Sequence, residues 1–252
     1  MSIILRKPNE IAKLREASLV VAKTLDYLRN NVQIGMSLLD VDKLGEDYLR
    51  SLGARPSFKG LYGFPNAVCT SLNEVVIHGI PNNTVLKDGD ILGIDIGSEV
   101  DGWYGDSAIT IPIGNISKED ERLIACAKDT LYYAIDVIRE NMRFKELSHL
   151  IEQFIISRGY QSLINFSGHG IGRVPHCEPE IPNYIQNGNI KSGPKIKNGM
   201  VFCLEPMVCQ KDKNPVVLED GWSVISKDGL KSSHYEHTVA IVNGKASILS
   251  KL

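Results

Sequence analysis

The stretch GIDIGSEVDGWYGDSAITIPI, residues 93–113, has the alternation and the Asp-Gly turn of a β-hairpin, yet each strand carries an acid where a core strand should be apolar. Side chains alternate faces along a strand, so Leu92, Ile94 and Ile96 share one face while Gly93, Asp95 and Gly97 share the other. On the second strand Ile109, Ile111 and Ile113 form the apolar face, and Asp106, Ala108 and Thr110 lie opposite. A two-residue type I′ turn at Asp101-Gly102 sets Val100 against Trp103 and, counting outward, Gly97 against Asp106. Asp95 is then the diagonal neighbour of Asp106 on the same face, about 7–8 Å away at the backbone. Two like charges on a face of small residues are unfavourable unless something neutralises or solvates them. Three arrangements do so: a wet outer face, a carboxyl pair sharing a proton, or a metal site with further ligands from elsewhere.

At 252 residues and 43% hydrophobic, the chain can bury a full core, as one large domain or two small ones. A formal charge of −2 without a long basic run argues against a dedicated nucleic-acid or membrane-surface binder, so a small or peptidic ligand is expected. The five cysteines, Cys69, Cys126, Cys177, Cys203 and Cys209, are irregularly spaced and include no CxxC pair, which fits neither a disulfide framework nor a zinc knuckle. A reducing cytoplasm is the expected compartment. The start MSIILRKPNEIAKLREA has too short an apolar run for a signal peptide, and no segment reaches membrane-spanning length.

Helical spacing of Ile11, Leu14, Val20, Val21, Leu25 and Leu28 predicts a helix over residues 8–31, stopped before Gly35, and Ser37 opens a shorter one to about Leu52. Strands and turns follow over residues 67–113. The second half repeats the order: Ser117 caps a long helix, KEDERLIACAKDTLYYAIDVIREN, and KELSHLIEQFIISRGY makes a shorter one before more strands. The shorter helices end alike, in YLRSLGARPSF and FIISRGYQSLI. The expectation is a single α+β domain of two pseudo-symmetric halves, about 1–115 and 116–252, with helices on the outer face of an antiparallel sheet whose other face is free for a site.

Further ligand candidates cluster in the second half. In NFSGHGIGRVPHCEPEIPNY, His169 lies between Gly168 and Gly170 in a Gly/Pro-rich loop that lets backbone approach a ligand, and His176 follows seven residues later. In GMVFCLEPMV, Glu205 ends a strand-like run that Pro206 stops. In SHYEHTVAIV, Glu236 begins another strand and His237 points to the opposite face. Cys203 and Cys209 flank Glu205 and read as ordinary buried thiols. Four acids with one imidazole suit Mn, Fe, Co or Zn. A pair of cations about 3.5–4 Å apart explains why the acids converge, whereas proton sharing leaves His169, Glu205 and Glu236 unexplained.

The segments EVVIHGIP, GDILGIDIG, DGWYGDSAIT, GHGIGRVPHCEP, VFCLEPMV and YEHTVAIV, in this order, resemble the motif set of the type I methionine aminopeptidases over residues from about 6 to 245. The resemblance implies the pita-bread, or creatinase-like, α+β fold with a dinuclear divalent-metal centre between its halves. It implies that Asp95 chelates one metal, Asp106 and Glu236 bridge both, and His169 and Glu205 hold the second. By the same resemblance His78 faces the first peptide bond, His176 stabilises the tetrahedral oxygen, and Glu205 carries the proton. The implied reaction is water attack on the bond after an initiator methionine that precedes a small residue. The implied partners are nascent N-terminal segments and the ribosome exit region, with the enzyme a monomer.

By position, Phe58, Phe64, Cys69 and Trp222 are candidates for an apolar pocket around the flexible methionine side chain. The chain departs from the common pattern at Leu61, where relatives often carry tyrosine, at Pro175 for an aromatic and at Cys177 for glutamate. It shows neither the zinc-binding extension of some eukaryotic relatives nor the helical insertion of type II enzymes, so a compact, bacterial-style enzyme is expected. A prolidase would need a large N-terminal domain for which this chain has no room. A metal-free binding relative would not need the five ligands intact.

Overall fold

The computed structural model describes residues 2–185 and 189–252. Its four long helices come in two pairs, α1 (Pro8–Asn31) with α2 (Leu38–Ser51), and α3 (Lys118–Val137) with α4 (Phe144–Ser157). Pro8 opens α1, where its missing N–H costs nothing. Ser37 Oγ caps α2 by accepting from Asp40 N, and Ser117 Oγ does the same for α3 from Asp120 N. Helices α2 and α4 both run into a left-handed glycine, Gly53 and Gly159, and then into a two-residue strand.

The long helix expected over KEDERLIACAKDTLYYAIDVIREN stops at Val137. The residues beyond it are drawn into an extended pairing, with Asn141 N donating to Ile196 O and Ile196 N to Met142 O, so tertiary hydrogen bonds replace the last helical turn.

The strand Ile91–Val100 organises the first sheet. It pairs along one edge with Val68–Leu72 and then Arg55–Pro56, and along the whole of the other with Trp103–Pro112. The register is Val100 to Trp103, Gly97 to Asp106 and Asp95 to Ala108, without a bulge. Asp101 and Gly102 have φ of 51° and 74°, the two left-handed residues that a type I′ turn requires. The five-stranded sheet runs Lys245–Ile248, His237–Val242, Val201–Leu204, Ser167–Gly170, Cys177–Pro182, antiparallel throughout. Among the described residues there are also two three-stranded sheets, one centred on Met207–Cys209 and the other on Val224–Ser226.

The two helix pairs lie over separate apolar cores. Leu25, Leu28, Leu49, Leu92, Ile94 and Ile96 belong to one; Leu123, Leu131, Ile151, Phe202 and Val239 belong to the other. Each fully buried Leu or Ile contributes about 1.5–3 kcal/mol of transfer free energy. The sheets meet where Ala108 N and Glu236 N each donate to the other residue's carbonyl, which joins the acid-bearing hairpin to the start of the His237 strand. Among the described residues no helix is long and apolar enough to cross a membrane.

Candidate active site

The hairpin register puts Asp95 and Asp106 on one face as diagonal neighbours, with Cys69 directly opposite Asp95 on the adjoining strand. Thr238 fastens Asp106 from across the seam. Its hydroxyl donates to Asp106 O at 2.7 Å and accepts from Asp106 N at 3.2 Å. Glu205 and Glu236 extend the pairing of Val201–Leu204 with His237–Val242 by one step, since the ladder's terminal pair is Leu204 with His237. Glu236 therefore stands opposite Glu205, while His237 turns the other way, to Ser250 Oγ at 2.9 Å and the Tyr132 ring.

His169 belongs to a strand rather than the loop expected, paired with Glu180. The flanking glycines serve neighbouring strands, not a ligand: a Cβ at Gly168 would overlap Cys203 O, and one at Gly170 would overlap Glu178 O. His169 Nδ1 donates to Gly170 O at 3.1 Å, which leaves Nε2 with a free lone pair 3.5 Å from Glu205 Oε1. That tautomer is the one a metal-binding imidazole needs.

The residues present fit a divalent cation. Oδ1 of Asp95, Oδ1 of Asp106 and Oε1 of Glu236 are buried without a hydrogen-bond partner among the described residues. No lysine or arginine pairs with Asp95, Asp106, Glu205 or Glu236 there either; the only ion-pair partners are histidines, both at Glu205. Burial pushes Asp95 up to about 7, and burial reinforced by the neighbouring acids pushes Asp106, Glu205 and Glu236 well above the usual carboxylate range. Burial also drives the His169 imidazole down to about 3, so it is neutral. Buried acids with no countercharge beside a neutral imidazole are what a cation relieves. Donor atoms of Asp106, His169, Cys203 and Glu236 lie within 4.8 Å of one another. Cys203 is the odd member. Its Sγ contacts Thr238 Oγ1 at 3.6 Å, and burial pushes the thiol well up, so it stays protonated beside stronger oxygen ligands.

These groups open into a cavity of about 480 Å³, lined by Asp95, Asp106, His169, Glu205, Glu236, His78, His176, Phe58, Phe64, Cys69 and Trp222, all of which the sequence singled out. Part of its wall is apolar: Phe58, Phe64 and Cys69 form a buried cluster flanked by Leu61, Ile80 and Trp222, with the Phe64 and Trp222 rings edge to face at 5.2 Å. His78 sits at φ 57°, a conformation that costs a non-glycine residue energy, and its ring is edge-on to Trp222 and Phe166. Burial pushes it down to about 4, with His176 adding to the effect. His176 lies edge-on to His169 at 4.3 Å and parallel to the ring of Tyr62 at 5.9 Å; burial lowers its pKa as well.

Sequence reasoning missed several residues at the cavity, among them Tyr62, Ile77, Phe166 and Met207. It also missed His234, a buried imidazole with Nε2 4.0 Å from Glu205 Oε2. Alternation in SHYEHT could have found that residue, because His234 shares a face with Glu236.

Comparison with known proteins agrees with this geometry. Residues 12–243 match the model of metallopeptidase family M24. The chain is 59% identical over 252 residues to a methionine aminopeptidase of Helicobacter pylori, covering 100% of both, and 39% identical to methionine aminopeptidase 1 of Bacillus subtilis, covering 99% of this chain and 100% of that one. The crystal structure of methionine aminopeptidase from Thermotoga maritima superposes with a TM-score of 0.96 at 36% identity, covering 100% of both chains. A prolidase from Pyrococcus furiosus, at 22% identity and a TM-score of 0.80, covers 99% of this chain but 66% of its own, and shares the pita-bread architecture alone. With a family match over residues 12–243 and relatives of the same kind aligned along the whole of its length, the chain belongs to metallopeptidase family M24 and, within it, to the methionine aminopeptidases.

Proposed function

We propose that the protein removes the N-terminal methionine from nascent proteins and peptides, prefers a small second residue, and uses two divalent ions held by Asp95, Asp106, His169, Glu205 and Glu236. The observation that carries this reading is a single cavity lined both by these ligands and by an apolar cluster. Its volume of about 480 Å³ lies in the range of small-ligand sites. When bound, the ions supply Lewis acidity and an acidified water as nucleophile. The donor set is oxygen-rich with one imidazole, which favours Mn, Fe, Co or Zn.

The chain's own groups do the rest. Phe58, Phe64, Cys69 and Trp222 hold the methionine side chain, whose polarisable thioether suits an aromatic-lined wall. His176, kept neutral by burial, donates to the carbonyl oxygen as it gains charge. Glu205 takes a proton from the attacking water and returns it to the departing amine. His78, held in its left-handed conformation, faces the first peptide bond and crowds a large second side chain.

The chain is read as one domain of two halves, about 1–115 and 116–252, a reading supported by the repeated helix pair and the two cores. All five cysteines are unpaired, which supports a cytoplasmic setting, where nascent chains are met. The test is methionine release from Met-Ala-Ser and Met-Lys peptides by metal-loaded protein. The first should be cleaved and the second spared. Full activity after exhaustive chelation, or equal rates on both peptides, would overturn the reading.

A further inference from the structure

Glu205 has an imidazole at each of its oxygens. His169 Nε2 is 3.5 Å from Oε1, and His234 Nε2 is 4.0 Å from Oε2. The mechanism uses the first and leaves the second without a task. His234 is not a peripheral residue: it ends the strand Ser232–His234, paired with Met207, two residues before Glu236. Continuing the register that joins Leu204 to His237 and Met207 to His234 makes His234 the diagonal neighbour of Glu205 on the face that carries Glu236. Its backbone is pinned on both sides by Thr110, whose hydroxyl accepts from His234 N at 3.0 Å and donates to His234 O at 2.9 Å. The ring is 3% exposed, and its Nε2 has no hydrogen-bond partner among the described residues.

A buried imidazole nitrogen without a partner is costly, and fixed backbone leaves the ring little choice of direction. A carboxylate oxygen accepts more than one hydrogen bond, so Oε2 can serve a donor while Oε1 faces His169. The gap of 4.0 Å exceeds a direct bond by about 1 Å, a distance that rotation of the soft terminal torsion of a glutamate can close.

We propose that His234 is a positioning residue for Glu205: its Nε2–H holds Oε2, so that the carboxylate presents Oε1 toward His169 and the metal. This deepens the assignment of Glu205 as a ligand and rests on it. A ligand held from behind loses less freedom when the ion binds, and partners of this kind are worth about 10–100-fold in metal affinity.

The experiment titrates cobalt(II) into metal-free wild type, His234→Leu and His234→Gln, following heat and the visible absorption of bound cobalt, with a thermal melt of each metal-free protein. Leucine fills similar volume without a donor, and glutamine restores one. His234→Leu should bind cobalt about 10–100-fold more weakly with an altered spectrum, its metal-free melting temperature unchanged or raised because an unpartnered polar atom is gone. His234→Gln should recover most of the affinity. Wild-type affinity in His234→Leu, or a His234→Gln protein as weak as His234→Leu, would overturn the role of His234. Should His234→Leu fail to fold, wild-type against His234→Gln decides alone, since a loss of tenfold or more in His234→Gln refutes positioning by a donor. Failure of wild type itself to bind cobalt would sink the metal-site reading, a result distinct from either of these.

Discussion

Stripping the metal should make stability fall with pH above about 6.5, opposite to the behaviour of the loaded protein. Two sets of buried groups decide this. Burial pushes His78 and His237 down to about 4 and His169 and His234 down to about 3, from an ordinary 6.5. Because the unfolded chain binds protons that these folded imidazoles refuse, their contribution grows as pH rises and is complete above about 6.5. The carboxyls act in the other direction. Burial raises Asp95 to about 7, and burial first, then the neighbouring acids, raise Asp106, Glu205 and Glu236 well above the usual carboxylate range. Their contribution is full below the unfolded pKa and is lost as pH rises through the folded one. Between about 4.5 and 6.5 the two sets oppose each other; above 6.5 the imidazoles are silent and the carboxyls decide, with Asp95 finishing near 7, and the thiols that burial raises add a fall of the same sign toward the top of the window.

Each carboxyl that keeps its proton in the folded state costs about 1.4 kcal/mol per pH unit while it does so. For a domain of this size that is roughly 3–6 °C in melting temperature per pH unit for each such carboxyl. Differential scanning calorimetry of chelated and metal-saturated protein across that window is the measurement. Saturated protein should gain stability with pH, because the ion binds the deprotonated ligands. Asp106→Asn, in the chelated state, should flatten the fall, because burial and the neighbouring acids raise the Asp106 carboxyl. A chelated midpoint that stays level or rises from pH 6.5 to 8.5 would refute the reasoning, since the folded acids would then already be ionised without a cation.

His176→Ala should lower turnover by about 10²–10³, the scale of one oxyanion donor, with metal content near wild type, whereas Glu205→Gln should lose both on metal analysis and kinetics. Thr238→Val removes two hydrogen bonds to the Asp106 backbone at 2.7 and 3.2 Å; urea unfolding of the metal-free protein should show a loss of about 1–3 kcal/mol, with weaker metal binding. Gly168→Ala or Gly170→Ala drives a methyl into the carbonyl of Cys203 or Glu178, so thermal melts should fall by an overpacking cost of about 1–3 kcal/mol and metal content should fall with them.

The acid-bearing hairpin was legible because three local rules agreed: period-2 alternation, an Asp-Gly turn and small neighbours around each aspartate. Register then follows from the turn alone, and the observed pairing of Gly97 with Asp106 is the counted one. Helix starts were legible for the same reason, since Ser37 and Ser117 cap through bonds confined to four residues. What failed was set by distant partners. The end of α3 is decided by residues 195–196, about sixty positions away, and His169 became a strand residue because Phe202 and Glu180 flank its segment.

The apolar wall of the cavity shows a limit of a different kind. Phe64, at 4% exposure, is as buried as residues of the main cores, and Phe58, at 8%, nearly so; no hydropathy pattern separates a side chain that fills a core from one that borders a void. The distinction depends on what does not stand opposite. Phe166 and Met207, which look like ordinary core from sequence, line the same void because Asp95, Asp106 and Glu236 facing it are too short and too charged to fill it. Charge is thus the legible half of this site, since an acid on a small-residue face breaks a pattern. The pocket it empties becomes visible only when the strands Trp103–Pro112 and His237–Val242 are brought together.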